Sequence, residues 1–278
     1  MRKSARKSTR TRIADEQWQD ALAHLPFIAA LPVADGARLR TLTEQFLDDK
    51  EMAGAGDLQL RADLQISIAA QACLPILNLG LAWYRGWRGI VIYPDEFVVR
   101  RTVADEDGVV HEFDDVVSGE AWDGGPVILS LHDGPSNDDV LAYNVVIHEF
   151  THKLDLLGGD ADGLPPFDRE LHAGLVPAAW RKALVDAMAR LAAEVELIES
   201  ALPADIDPDS VAAEPYYAHL PLDAYAVQDE AEFFAVSSES FFVQPARLQQ
   251  AFPQWYQLLT QFFLQDPAAR TAHTRAST

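Results

Sequence analysis

Two histidines four residues apart, His148 and His152, bracket a glutamate in the run HEFTH at 148–152. On a helix, a spacing of four puts both imidazoles on one face, one turn apart, where each can offer a ring nitrogen to one metal ion. Glu149 then projects about 100° further round, beside the metal rather than onto it. That position suits a general base acting on a metal-activated water. HExxH alone arises by chance too often to decide the matter, so its surroundings must carry the reading. The stripe Leu141, Asn144, Val145, His148, His152, Asp155 is apolar or weakly polar, and Tyr143, Ile147, Phe150, Leu154 and Leu157 form a core-like stripe opposite. A helix apolar on most sides is buried. Two adjacent buried histidines need a partner, either each other within the core or a metal, and the metal satisfies both at once.

A catalytic zinc site takes three protein ligands and keeps one position open, whereas a structural site fills all four. The other histidines, 24, 111, 132, 172, 219 and 273, read as surface or loop residues. The stretch YAVQDEAEFFAVSSESFF at 225–242 is richer. On a helix, Glu232, Ala235, Val236 and Glu239 share one face, and Phe233, Phe234, Phe241 and Phe242 drive the segment into the core. A carboxylate there needs a cation or a hydrogen-bond donor. Asp229 with Glu232 three residues later also has the form of a capping box. Spacing therefore leaves Glu232 and Glu239 as rival third ligands. They stand two turns, about 10 Å, apart, so one ion cannot take both. Asp155, two turns after His148, either orients a histidine or braces the helix end.

These residues need a scaffold, and hydrophobic periodicity outlines one. Residues 15–52 read as helical, with Asp15 as a cap. Residues 62–82 read as a buried helix broken at Pro75. The runs 89–94, 96–103, 109–113 and 125–134 are β-branched and bounded by Pro, Asp and Gly, which marks strands. The segment 135–159 carries helix-cap candidates at Ser136 to Asp138 and stops at Gly158-Gly159. Helices follow at 178–200, 229–242 and 246–264, separated by loops at 160–177 and 201–222. Helices, then a cluster of strands, then helices predict an α+β fold with a small mixed sheet beside the HExxH helix. One domain over 15–265 is expected, between a basic tail at 1–14 and a flexible tail at 266–278.

Of the 22 Lys and Arg residues, six lie in the first twelve positions, so the rest of a chain of net charge −21 stands near −27. A body that acidic repels phosphate backbones, which argues against nucleic-acid binding. The most apolar stretch, Leu64 to Trp83, is interrupted by Gln65, Gln71, Pro75 and Asn78, so no membrane span is expected. A single cysteine, Cys73, fits a reducing, cytoplasmic compartment.

Two long motifs carry a family resemblance: IHEFTHKLDLLGGDADGLP at 147–165 and DAYAVQDEAEFFAVSSESFF at 223–242. ISIAAQACLPIL at 66–77 and IVIYPDEFVV at 90–99 match more weakly. The chain from about residue 18 to 267 resembles the MtfA (Mlc titration factor A) family, bacterial zinc peptidases with a gluzincin-like site. The resemblance implies a zincin-like catalytic core related to that of anthrax lethal factor. It implies Zn²⁺ held by His148, His152 and Glu232, Glu149 as general base, and Tyr225 lining the site, seven residues before Glu232 as in the family pattern. It implies peptide substrates, cut by either aminopeptidase or endopeptidase action. The family name implies a transcriptional-regulator partner, the glucose repressor Mlc, which no residue motif here specifies. By analogy with zincins, the strand at 126–131 would form the sheet edge along which a peptide extends.

Overall fold

The computed structural model describes residues 11–94, 97–104, 110–117, 119–121, 124–130 and 144–270. The cap candidates Ser136 to Asp138, the stripe members Leu141 and Tyr143, and most of both predicted tails lie outside them.

The described part begins with α1 (Asp15–Leu22), α2 (Pro26–Ala29) and α3 (Val33–Asp49). Asp15 is the first helical residue rather than the cap; Ala14 precedes it, with its N–H donated to the Gln17 side chain at 3.1 Å. The sequence from 50 onward turns away from the predicted helix. Residues Glu51–Gly54 form a short strand, β1, in which a Cβ on Gly54 would meet the Leu58 carbonyl oxygen at 2.1 Å. Only four residues with no apolar alternation leave such a strand invisible to periodicity; its pairing to β2 creates it.

Helix α4 (Ala62–Cys73) is buried along nearly its whole second half and ends just ahead of Pro75, which has no N–H to continue the ladder. The strands β2 (Gly89–Tyr93), β3 (Phe97–Ala104), β4 (Val110–Val117), β5 (Gly119–Ala121) and β6 (Val127–Ser130) follow. Strands β1, β2 and β6 run parallel, β5 joins β6 antiparallel, and the order is β1-β2-β6-β5. β3 and β4 form a separate antiparallel hairpin, from Phe97 opposite Val117 to Ala104 opposite Val110. The sheet is mixed and the fold α+β, as predicted. The strand placed at the sheet edge is instead interior: β6 is paired on both sides, and the described edges are β1 and β5. The three residues of β5 are too few to register as a strand in sequence.

Helix α5 (Val145–Asp155) lies on this sheet. Ile147, Phe150 and Leu154 are completely buried, and the Phe150 ring meets those of Phe46, Tyr84 and Trp87 at 5.7, 5.3 and 5.7 Å. Leu157, expected to continue that stripe, falls in a 3-10 turn after the helix and is exposed. Helices α6 (Pro177–Ala201), α7 (Glu214–Tyr217), α8 (Glu230–Val243), α9 (Pro245–Ala251) and α10 (Pro253–Phe263) follow. The last two were expected as one helix; Pro253 divides them. Aromatic contacts bind this half together, with Trp180 of α6 against Trp255 of α10 at 4.7 Å and Phe234 of α8 against Phe262 at 5.9 Å. Among the described residues, no helix is long and apolar enough to cross a membrane.

Candidate metal centre

The site forms where α5 crosses α8. Asn144 caps α5, its Oδ1 accepting from Ile147 N–H at 2.9 Å. The cap therefore stands eight residues beyond Ser136, and the first turn of the helix carries His148. The Asn144 side chain is itself fixed by donation from Nδ2 to Gln71 Oε1 at 2.7 Å. Gln71, a polar interruption in the apolar α4, thus helps to place the HExxH helix.

Asp229 caps α8 by accepting from Glu232 N–H at 2.9 Å. Half of the capping-box reading is thereby realised. The Glu232 carboxylate, however, turns toward the histidines: Oε2 lies 3.1 Å from His148 Nε2 and Oε1 3.5 Å from His152 Nε2. The two Nε2 atoms are themselves 3.0 Å apart. Among the described residues, His148, His152 and Glu232 are the group of potential ligands whose atoms converge on one point.

Glu239, the rival ligand, occupies the other side of His148. Its Oε1 is 2.8 Å from His148 Nδ1, and its Oε2 accepts from the Asn144 N–H. With Nδ1 bonded to a carboxylate, Nε2 is the ring atom left for a cation. The cluster brings Glu232 to the point of convergence and sets Glu239 behind the imidazole.

Glu149 is buried, and among the described residues one of its oxygens has no hydrogen-bond partner. Burial raises its pKa to about 7, against the pull of the two histidines. For Glu232, burial favours the neutral acid, but the two imidazoles outweigh it and hold the group well below the usual carboxylate range. Burial likewise opposes charge on His148, yet hydrogen bonds to Glu232 and Glu239 carry its pKa well above the ordinary value. Two imidazoles and three carboxylates packed into one interior leave a concentration of negative charge and orphaned lone pairs that a cation would satisfy.

Tyr225 stands at the mouth, 47% exposed, in a 3-10 turn (Ala224–Val227) capped by Asp223, which accepts its N–H at 2.8 Å. Its ring lies 6.4 Å from that of His148. Asp155 is fully buried, and its Oδ2 accepts from Gly163 N–H at 2.8 Å. The bracing alternative is therefore the one formed. Gly163, which sequence reasoning passed over, has φ of +70°; a Cβ there would lie 2.4 Å from the Glu230 carbonyl oxygen, and its own carbonyl accepts from Trp180 Nε1 at 2.7 Å. The end of α5, the body of α6 and the start of α8 meet at this one residue. The available signal was the DADG run itself, in which glycine follows acidic residues past a helix end.

The placement of His172 departs from expectation. This histidine is buried, with Nδ1 accepting from Asp168 N–H at 3.0 Å and Nε2 facing the Phe262 carbonyl at 2.9 Å. Those partners demand the neutral Nε2–H tautomer, and burial lowers its pKa. His24 and His219 are exposed. His132 and His273 lie outside the described residues.

A sequence profile of the glucose-regulated metallo-peptidase M90 family matches residues 1–264. The chain belongs to this metallopeptidase family. It is 37% identical over 262 residues to "Mlc titration factor A" of Serratia proteamaculans, covering 94% of this chain and 91% of that protein. It is 37% identical over 261 residues to proteins of the same name from Salmonella arizonae and Salmonella typhi, covering 94% of this chain and 95% and 90% of theirs. Membership of this metallopeptidase family and the convergent donor set point to a metal at the crossing of α5 and α8.

Proposed function

We propose that this M90 protein is a zinc-dependent peptidase whose catalytic unit is a single domain over 15–265, between tails at 1–14 and 266–278. One observation carries the reading. A tetrahedral zinc ion with bonds of about 2.0–2.1 Å separates its ligand atoms by about 3.3 Å. The His148 and His152 Nε2 atoms are 3.0 Å apart, and each faces an oxygen of the Glu232 carboxylate at a similar distance, Oε2 at 3.1 Å from His148 and Oε1 at 3.5 Å from His152. Three protein donors match a site with one position kept for substrate or water, rather than a closed structural site.

When bound, the ion supplies Lewis acidity that brings the acidity of water near neutrality. Glu149, buried beside the ligands, receives the proton and then returns it to the leaving amine. Tyr225, at the rim, donates a hydrogen bond to the oxygen of the attacked carbonyl, a contact worth roughly 3 kcal/mol for one such donor. Glu239 holds the His148 ring by its Nδ1. Peptides are the proposed substrates, and β5 is the proposed sheet edge for them. The one cysteine, Cys73, is buried and free, in keeping with a proposed cytoplasmic location.

Glu149→Gln separates chemistry from metal binding. The variant should keep its zinc, measured by elemental analysis, and lose at least about 100-fold in peptide hydrolysis. His148→Ala, His152→Ala or Glu232→Ala should instead lose the metal. Full turnover in Glu149→Gln, or stoichiometric zinc in all three ligand variants, contradicts the assignment. The name of the relatives favours a second reading, in which the protein also engages an Mlc-like transcriptional regulator. Glu149→Gln would then retain regulator binding.

A further inference from the structure

Beside the last turns of α6, a groove of about 410 Å³ is lined by Glu194, Leu197, Ile198, Ala201, Tyr216 and His219. Leu197 is 69% exposed and Tyr216 40% exposed, so the walls present apolar surface to solvent. Acids border it: Glu194 is in its wall, and α6 carries Glu196 and Glu199 beside it with no Lys or Arg after Arg190. Glu199 and Asp209 stand close enough to Tyr217 of α7 to reinforce the rise in its phenol pKa that burial begins. Two cations stand nearby, and both are engaged by the protein: Arg190 Nη1 donates to the Ala251 carbonyl at 2.9 Å, its guanidinium lies over the Phe252 ring and its Nε is 3.6 Å from Glu194, while Arg247 Nη2 donates to the carbonyls of Ala218 and Leu220 on either side of His219. An aliphatic slot rimmed by acids selects a ligand with an apolar anchor flanked by cations, since like charges at the rim repel acidic partners.

The groove also has a defined place relative to the metal centre. His219, in its wall, precedes Tyr225 by six residues, so the two are joined by at most about 20 Å of chain. A peptide about six residues longer than its scissile region spans both. We propose that this groove is an exosite for a basic amphipathic segment of the substrate polypeptide, anchored by an apolar side chain on Leu197 and Tyr216 and steered by the acids around them. The proposal rests on the peptidase reading for its role, although not for the binding itself.

The test uses the full chain carrying Glu149→Gln, so that nothing is cut, and fluorescence anisotropy of two labelled peptides of equal positive charge. One peptide carries leucines at helical spacing among lysines and arginines; in the other each leucine is glutamine. The leucine peptide should bind at least about tenfold more tightly, and its affinity should fall as ionic strength rises from about 0.05 to 0.3 M. Leu197→Ser, a change on an exposed surface, should weaken it about tenfold, and Glu199→Lys should weaken it comparably. With Glu149 intact, Leu197→Ser should cleave a short uncharged reporter peptide at the wild-type rate. Equal binding of the two peptides, or unchanged affinity in Leu197→Ser, overturns the exosite. So does a dimer seen in sedimentation that Leu197→Ser dissociates, because the face would then be covered by a second copy. Tight, Leu197-dependent binding in a protein whose wild type cuts no peptide would support the groove and refute the peptidase reading instead.

Discussion

Glu239→Ala tests how the His148 ring is held. In the native protein this carboxylate is 2% exposed and accepts from two donors, His148 Nδ1 at 2.8 Å and the Asn144 N–H. Alanine leaves both without a partner in the interior. Each orphaned group costs about 1–3 kcal/mol, so the metal-free protein should lose roughly 2–6 kcal/mol. For a domain of this size that lowers Tm by roughly 5–25 °C. Zinc affinity should fall by about 10–100-fold, because the imidazole loses the partner that fixes its orientation and basicity. Glu239→Gln should fall between: its carbonyl oxygen replaces one acceptor, while its amide group confronts the other donor. Competition against a chromophoric chelator gives the affinity, and calorimetry of metal-free and zinc-loaded protein gives the stability. Glu232→Ala on the same assays should lose far more affinity with less loss of metal-free stability. Native zinc affinity in Glu239→Ala, or a larger loss there than in Glu232→Ala, would show that the roles of the two carboxylates are reversed.

Gly163→Ala should destabilise the chain by at least about 2 kcal/mol, because φ is +70° and the new methyl would meet the Glu230 carbonyl at 2.4 Å; an unchanged Tm refutes that brace. Asp155 makes a prediction in pH. Burial raises its pKa from 3.8 to about 7, so the fold favours the neutral acid; that contribution is complete below about pH 4 and is lost as pH rises through about 7. Metal-free protein should therefore lose a few kcal/mol between those limits, with Glu149, also raised to about 7, contributing a share of its own. Asp155→Asn keeps an acceptor for the Gly163 N–H and should flatten the slope and exceed the wild type in stability above pH 7. Urea titrations across the range decide it, and an equal slope in both proteins sinks the argument.

The legible parts of this protein were those written in side-chain periodicity. The apolar stripe Ile147, Phe150, Leu154 marked a buried helix, and the Phe pairs of α8 marked another, because both helices are long enough for the pattern to repeat. The HExxH spacing placed two imidazoles together by helix geometry alone. The choice between Glu232 and Glu239 could not be made this way. Both share one helical face, and which of them reaches Nε2 and which reaches Nδ1 depends on the crossing of α5 over α8. Strands β1 and β5 escaped because four and three residues do not establish a period, and their pairing is a tertiary event. The start of α5 was placed too early because Ser136 to Asp138 have good capping chemistry. The residue that caps is Asn144, which has the additional hold of Gln71 and Glu239.

The two clamps on the HExxH helix act on the same quantity. At its start, Asn144 ties α5 to Glu239 in the middle of α8. At its end, Asp155 holds Gly163, which packs on the carbonyl of Glu230 at the beginning of α8. Glu232 lies on the stretch of α8 between these fixed points. Zinc bonds tolerate only a few tenths of an ångström, so the ligand separations demand that α5 and α8 neither slide nor rotate against each other. Either clamp alone leaves a pivot, and both together leave none. Loss of one clamp should therefore forfeit most of the preorganisation, and loss of the second should add little. Gly163→Ala combined with Glu239→Ala should then weaken zinc binding by less than the product of the two single effects, with a coupling of at least about 1 kcal/mol between sites that share no contact. Strict additivity in that double-mutant cycle would mean that each clamp acts only on its own neighbourhood, and that the register of the two helices is set by the aromatic core instead.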